Sequence, residues 1–313
     1  MTMVSSGPIS LGGTATTGGL NQSINVELGY SGTAQISLND AAVRTLLGKA
    51  SGAISLNDAY GKANQFAFTI SSNQTNANLR TLAVNAGWNQ TSKVVATISG
   101  GVYISSNSTG TPALTVNGSF PGGVELVNNG FIVGMGGAGG TGSGSQGGGS
   151  AGSSGGLSLS VSVAASINNA GTIAGGGGGG GGGEGAGANG PYGTEYAGGG
   201  GGGGGRSSAA ANSSGGAAGG RSGGFNNASA GGSGTVSSAG GGGTGSFDSS
   251  NRWGGNGGSG GGWGTAGSNG GSRVYGSSNS LGGPYSGGSA GGAVSGNSNI
   301  TWLATGTRLG GIS

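Results

Sequence analysis

The sequence predicts a mainly β and irregular chain: small N-terminal α+β modules, then a short β-repeat and a polyglycine II helix bundle with surface loops. Three observations predict it. From Gly134 onward lie 71 of the 89 glycines, including uninterrupted runs at 175–183 and 198–205. An Ile-Ser-Leu core recurs three times before residue 63. A strand, Asn-Asn, strand unit occurs twice, and each copy runs straight into glycine. These features divide the chain into residues 1–63, 64–133 and 134–313.

In residues 1–63, Gly7-Pro8-Ile9-Ser10-Leu11, Ala34-Gln35-Ile36-Ser37-Leu38-Asn39-Asp40 and Gly52-Ala53-Ile54-Ser55-Leu56-Asn57-Asp58 share the core. Apolar residues at alternate positions suit short strands with one buried face. Asn39 or Asp40 can cap a short helix through Val43, Leu46 and Leu47 that stops at Gly48. Each unit is too small to fold alone, so the copies are expected to pack on one another or on a partner.

Residues 64–133 read as a small α+β domain. Phe66–Ile70 has the pattern of a strand. Thr75 or Asn76 can cap a helix through Leu79, Leu82, Ala83 and Ala86, ended by Gly87 and sealed by Trp88. Strands are expected at 93–98, 101–104 and 113–116. The unit Val124–Gly134 is then echoed by Ala165–Gly175. Its paired asparagines suit left-handed turns, and paired strands would set the spacing and direction of the first glycine runs.

For the glycine region, composition makes a flexible tether the default. Two features oppose it. Large side chains recur between the glycine blocks, and the chain ends on the apolar Ile300-Thr301-Trp302-Leu303. The ordered alternative, polyglycine II, has three residues per turn, a rise of roughly 3.1 Å and no internal hydrogen bonds. Every N–H and C=O then needs a lateral partner. Each bond nets about 1 kcal/mol against roughly 1–2 kcal/mol to order a residue. Such a bundle stands only if nearly all of its backbone groups are paired.

If the glycine blocks are rods, the excursions at 184–197, 206–214, 221–230, 246–253, 265–269 and 272–286 are loops, and alternate ones share an end. One end can gather Tyr192, Tyr196, Arg221, Phe225, Phe247, Arg252, Trp253, Arg273, Tyr275 and Tyr285, with Arg206. Rigid aromatic and arginine anchors over a stiff scaffold suit a recognition surface. The structural alternative is that some rings only cover glycine rods, Trp263 above all.

Composition narrows the chemistry. The chain has no cysteine and no histidine, which removes thiolate metal sites and the commonest general base. No cofactor and no metal are implied. The formal net charge is +3, and the ten basic residues are scattered, so nucleic-acid binding is not expected. Neither a secretory signal nor a span suited to membrane insertion is visible. Glycan hydrolysis needs two facing carboxylates, and the seven acids show no such spacing.

The Ile-Ser-Leu units resemble segments of bacteriophage structural tail proteins. The stretch from Asn78-Leu79-Arg80 through Ala86-Gly87-Trp88 to Val127–Gly134 is similar to tail-tip and fibre proteins. The glycine blocks resemble the distal adhesins of T-even-like tail fibres. That resemblance implies a virion protein, assembled in the host cytoplasm, whose loops bind a host outer-membrane protein or surface glycan. It also implies attachment to other phage tail proteins through Ile9, Leu11, Ile36, Leu38, Ile54, Leu56 and Tyr60, as a monomer or a homotrimer. The alternatives are a virion polysaccharide depolymerase and a structural or ice-binding glycine-rich protein.

Overall fold

The computed structural model describes residues 1–313 except 1, 18, 63, 146, 191–192, 223–224, 248–252 and 274–278, and the side chains of 188–190, 193–194 and 279. The chain divides into two compact units. One comprises Met1–Phe68, Ala83–Ala96 and Ser119–Glu125; the other comprises Thr69–Leu82, Thr97–Gly118 and Leu126–Ser313.

In the first unit, Met3, Ile24, Val43, Leu46, Leu47 and Ala59 form a core. Ile9, Leu11, Ile36, Leu38, Ile54 and Leu56 pack against it half-buried, so the three Ile-Ser-Leu copies do pack on one another. Tyr60 donates its hydroxyl to the Gly7 carbonyl. The first copy forms a parallel bridge from Ser10 to Ser23, whereas the second and third form turns and helix starts rather than strands, because the Asn-Asp that follows each of them reaches back. The Asp40 carboxylate accepts from the Ser37 N–H and the Asp58 carboxylate from the Ser55 N–H, each at 2.8 Å. Asp40 stands at the N-cap position of Ala41–Leu47 with its carboxylate turned back to Ser37 rather than onto the helix, and the helix stops at left-handed Gly48. Trp88 is buried, donates to the Ser92 carbonyl and stacks on Phe120.

Among the described residues, fourteen further strands form three sheets visited in rotation. One sheet holds Gln65–Ile70, Lys93–Ile98, Val124–Asn128, Ala165–Asn169 and Ile300–Ala304. The next holds Gln74–Thr75, Tyr103–Ser105, Phe131–Val133, Thr172–Ala174 and Thr307–Leu309. The last holds Ala77–Asn78, Leu114–Val116, Leu159–Val161 and Val294–Ser295. In the second and third sheets equivalent strands of successive turns pair in parallel, as do Ala165–Asn169 and Ile300–Ala304 in the first. The result is a three-sided β-solenoid. Ile104, Ile132 and Ile173 stack in register and are fully buried, each gaining roughly 1.5–3 kcal/mol from burial. The helix Leu79–Asn85 interrupts the first turn. Asn78, rather than Thr75 or Asn76, accepts from the Thr81 N–H at its start.

The Asn-Asn units behave differently from the expectation. Neither pair is left-handed; among the described non-glycine residues only Asn76 and Gln90 have positive φ. Instead Asn128 and Asn169 are buried and stacked. Asn128 donates to the Asn169 side-chain oxygen at 2.7 Å, and Asn169 donates to the Thr305 carbonyl at 2.7 Å. The two strands of a unit lie on different sheets, and each pairs with its counterpart in the other unit. The glycine runs that follow therefore leave side by side and parallel.

All the glycine runs are insertions at one corner of the solenoid, between the second and third sheets. There the chain spends one residue, Asn76, in the first turn, then residues 106–113, 134–158 and 175–293 in the turns that follow. Run 175–184 bonds outward in three directions with a period of three. Gly176, Gly179 and Gly182 donate to Gly156, Ser153 and Ser150. Gly177, Gly180 and Gly183 donate to Arg206, Gly203 and Gly200. Gly178, Gly181 and Glu184 donate to Thr265, Ser268 and Gly271. These bonds are 2.8–3.1 Å long. A Cβ at Gly176, Gly179 or Gly182 would sit 1.8–1.9 Å from the carbonyl oxygens of Met135, Ala138 or Thr141. Run 198–205 is enclosed in the same way. This is why these two runs are pure glycine. Run 134–143 lies further out and carries Met135, Ala138 and Thr141 at every third position, at least partly exposed.

Candidate recognition surface

The runs have two ends. At the end remote from the solenoid, the Gly198 carbonyl accepts from Ser246, Glu184 N donates to Gly271, and Glu184 O accepts from Gly255. Segments 185–197, 221–228, 247–253 and 272–284 leave from this level. Four of the six expected excursions thus share one end. Residues 265–269 are instead part of a run, bonded to Gly178 and Gly181. Arg206 lies at the opposite end, its guanidinium carbon 3.6 Å from the Trp263 ring centroid and its Nε donating to the Val236 carbonyl. Trp263 is buried on Val133 and Ala174 and donates to the Ser207 carbonyl, so it covers the base of the bundle.

The loop end is tied to the lattice by a carboxylate clasp. Glu184, the last residue of the central run, is buried. Its Oε1 accepts from Arg273 Nη1 and Ser280 Oγ, each at 2.7 Å, and its Oε2 accepts from the Arg273 N–H at 3.2 Å. A charge taken out of water needs this full set of donors. The strands Ala186–Gly190 and Gly193–Ala197 form an antiparallel hairpin, and Asn279–Ser280 adds to its edge. The clasp therefore ties Arg273 and Ser280, the latter paired with the hairpin at Ala186, to the end of the central run.

The sequence-predicted residues separate into distinct roles. Phe225 is only 3% exposed, packed with Ala186 and Ala197, and serves as a plug under the hairpin. Arg273 is engaged by Glu184. Tyr285 is half-buried and lies across a glycine surface, where a Cβ at Gly148, Gly149 or Gly282 would come within 2.7–2.9 Å of its ring or hydroxyl. Tyr196 is half-buried; its N–H donates to Ser222 Oγ, and its carbonyl accepts from the Ser222 N–H. Arg221 is exposed and donates Nε to Asn227 Oδ1. Phe247 and Trp253 face each other across an antiparallel bridge, ring centroids 5.5 Å apart at 36°, and are 42% and 43% exposed. Tyr192, Arg252 and Tyr275 lie outside the described residues.

Sequence reasoning passed over Glu184 as a site residue. The signal was present: a single acid interrupts two glycine blocks, directly after the longest run. Among the described residues no group of His, Cys, Asp and Glu is arranged to hold a metal ion. No helix there is long and apolar enough to cross a membrane.

One solved structure, described as the crystal structure of the gp37-gp38 adhesin tip complex of the bacteriophage S16 long tail fiber, is similar at a TM-score of 0.48 and 24% identity. The match covers 87% of this chain and 91% of that one. No curated protein sequence matches. The model of the family described as phage tail fibre adhesin Gp38 matches residues 65–313, from the first solenoid strand to the last residue. This span takes in the solenoid, the glycine lattice and the loop end together, and the protein therefore belongs to the phage tail fibre adhesin Gp38 family.

Proposed function

We propose that this tail fibre adhesin grips a host outer-membrane protein or surface glycan with the loops at the far end of its glycine lattice, and that it does so without chemistry on the ligand. The single observation that carries this reading is the Phe247–Trp253 pair. Two large rings stand well exposed at one loop base, although burying them would be favourable. Exposed aromatics on a rigid support are the usual centres of binding energy. Arg221 and Tyr196 flank the same end. Phe225, Arg273 and Tyr285 contribute by holding the loops in place.

The scaffold is best described as polyglycine II. The period of three in both its bonds and its would-be clashes is what a helix of three residues per turn requires. The first unit attaches the adhesin to its fibre. Because the Ile-Ser-Leu side chains turn largely inward, the exposed Leu20 and Tyr30 are better placed to meet the fibre than Ile9 or Leu56.

The test uses the purified full-length protein on host cells. Phe247→Ser with Trp253→Ser should abolish both cell binding and competition with infecting phage, while leaving the unfolding temperature unchanged. Full binding by the double variant would refute the assignment.

A further inference from the structure

Five asparagines precede glycine: Asn117, Asn129, Asn189, Asn256 and Asn269. Such a pair can lose its side-chain amide without an enzyme, because glycine has no Cβ to keep its nitrogen from the asparagine amide carbon. The fold decides which pairs can react. A glycine N–H already donating in the lattice must first break that bond. Gly257 donates to Gly243 and Gly270 donates to Tyr285, each at 2.8 Å. Gly130 is buried and donates to Asn128 Oδ1. The side chain of Asn189 is outside the described residues.

Gly118 differs. It is exposed, has φ +84°, and its N–H has no acceptor among the described residues. Asn117 is exposed as well, and its Oδ1 accepts from Asn78 Nδ2 at 2.7 Å. That donor faces the oxygen on which negative charge develops when the amide carbon is attacked. We propose that Asn117 is a site of spontaneous deamidation, the one favoured by the folded protein among the described pairs. The Gly118 nitrogen gives up its proton and bonds to Asn117 Cγ, and the Cγ–Nδ2 bond breaks to release ammonia. Water then opens the resulting cyclic imide. Cleavage of the imide nitrogen's bond to Cγ leaves aspartate, and cleavage of its bond to the backbone carbonyl leaves isoaspartate. Aspartate keeps an acceptor for Asn78 but adds a negative charge. Isoaspartate lengthens the backbone directly after the strand Leu114–Val116.

The experiment is peptide mapping by mass spectrometry of the folded full-length protein, aged at mildly alkaline pH. Deamidation at Asn117 should run at least about tenfold faster than at Asn129, Asn256 or Asn269, because those sites react only after local opening. In concentrated urea the four rates should converge. Folded-state rates that are equal at the four sites, or slower at Asn117, would overturn the proposal.

Discussion

Replacing Gly180 with alanine tests how the lattice stands. Its Cβ would lie 2.0 Å from the Gly258 carbonyl oxygen and 2.5 Å from that carbonyl carbon. An ordinary carbon–oxygen contact needs about 3.3 Å, so the two runs must part by roughly 1.3 Å. Four bonds of 2.8 Å meet here: Gly180 to Gly203, Gly140 to Gly180, Gly203 to Gly258, and Gly258 to Gly181. Stretched by that amount, most exceed hydrogen-bonding distance. Each lost bond forfeits about 1 kcal/mol, and a stranded buried donor costs about 1–3 kcal/mol. With partial relaxation the loss is about 3–5 kcal/mol. Gly241→Ala is the control, since nothing lies within 4 Å of its would-be Cβ. There alanine should be neutral or stabilise by about 0.4–1 kcal/mol through the unfolded state. Denaturant unfolding of both variants reads the difference. Equal stabilities for the two would refute the close-packed lattice.

Asn169→Ala should destabilise the solenoid by about 1–3 kcal/mol, because it removes the donor to the Thr305 carbonyl and leaves the buried Asn128 amide only its long bond to the Thr172 carbonyl; calorimetry checks this. Trp253→Ala alone should weaken cell binding by about 10- to 100-fold, the range of a central aromatic anchor, with unfolding unaltered. Asp58 provides a pH test. The Ser55 N–H first, then Lys49, hold its carboxyl below the ordinary value of 3.8. A carboxyl lowered on folding adds stability above its unfolded pKa, and that contribution is lost as pH falls through the folded one. The stability gap between wild type and Asp58→Asn should therefore be present at neutral pH and close under acid. A gap unchanged in acid would contradict the assignment.

Much of the solenoid was legible in the sequence. The strands at 65–70, 93–98, 124–128 and 300–304 carry a period-two apolar pattern, and the helix was bracketed by a polar cap and Gly87. The closure into three sheets was not. Gln74–Thr75 and Ala77–Asn78 are too short and polar to show any periodicity, and only parallel pairing with later turns makes them strands. The asparagine pairs misled because a buried stack and a left-handed turn use the same residue type, and only burial separates them. In the glycine region the purity of 175–183 and 198–205 did encode their central position. The outward Met135, Ala138 and Thr141 carry the same period of three, but in a stretch too short to stand out from composition. At the loop end the aromatics were visible as a set. Their division into the plug Phe225, the cover Tyr285 and the exposed Phe247 and Trp253 depends on neighbours brought together by the lattice.

The most direct test of the account is amide hydrogen exchange across residues 175–205. A lattice in which Gly176 through Gly183 each donate to a neighbouring run predicts slow exchange throughout both glycine runs, comparable to that of the solenoid strands, with faster exchange confined to the loops. Rapid, uniform exchange through both runs would contradict it.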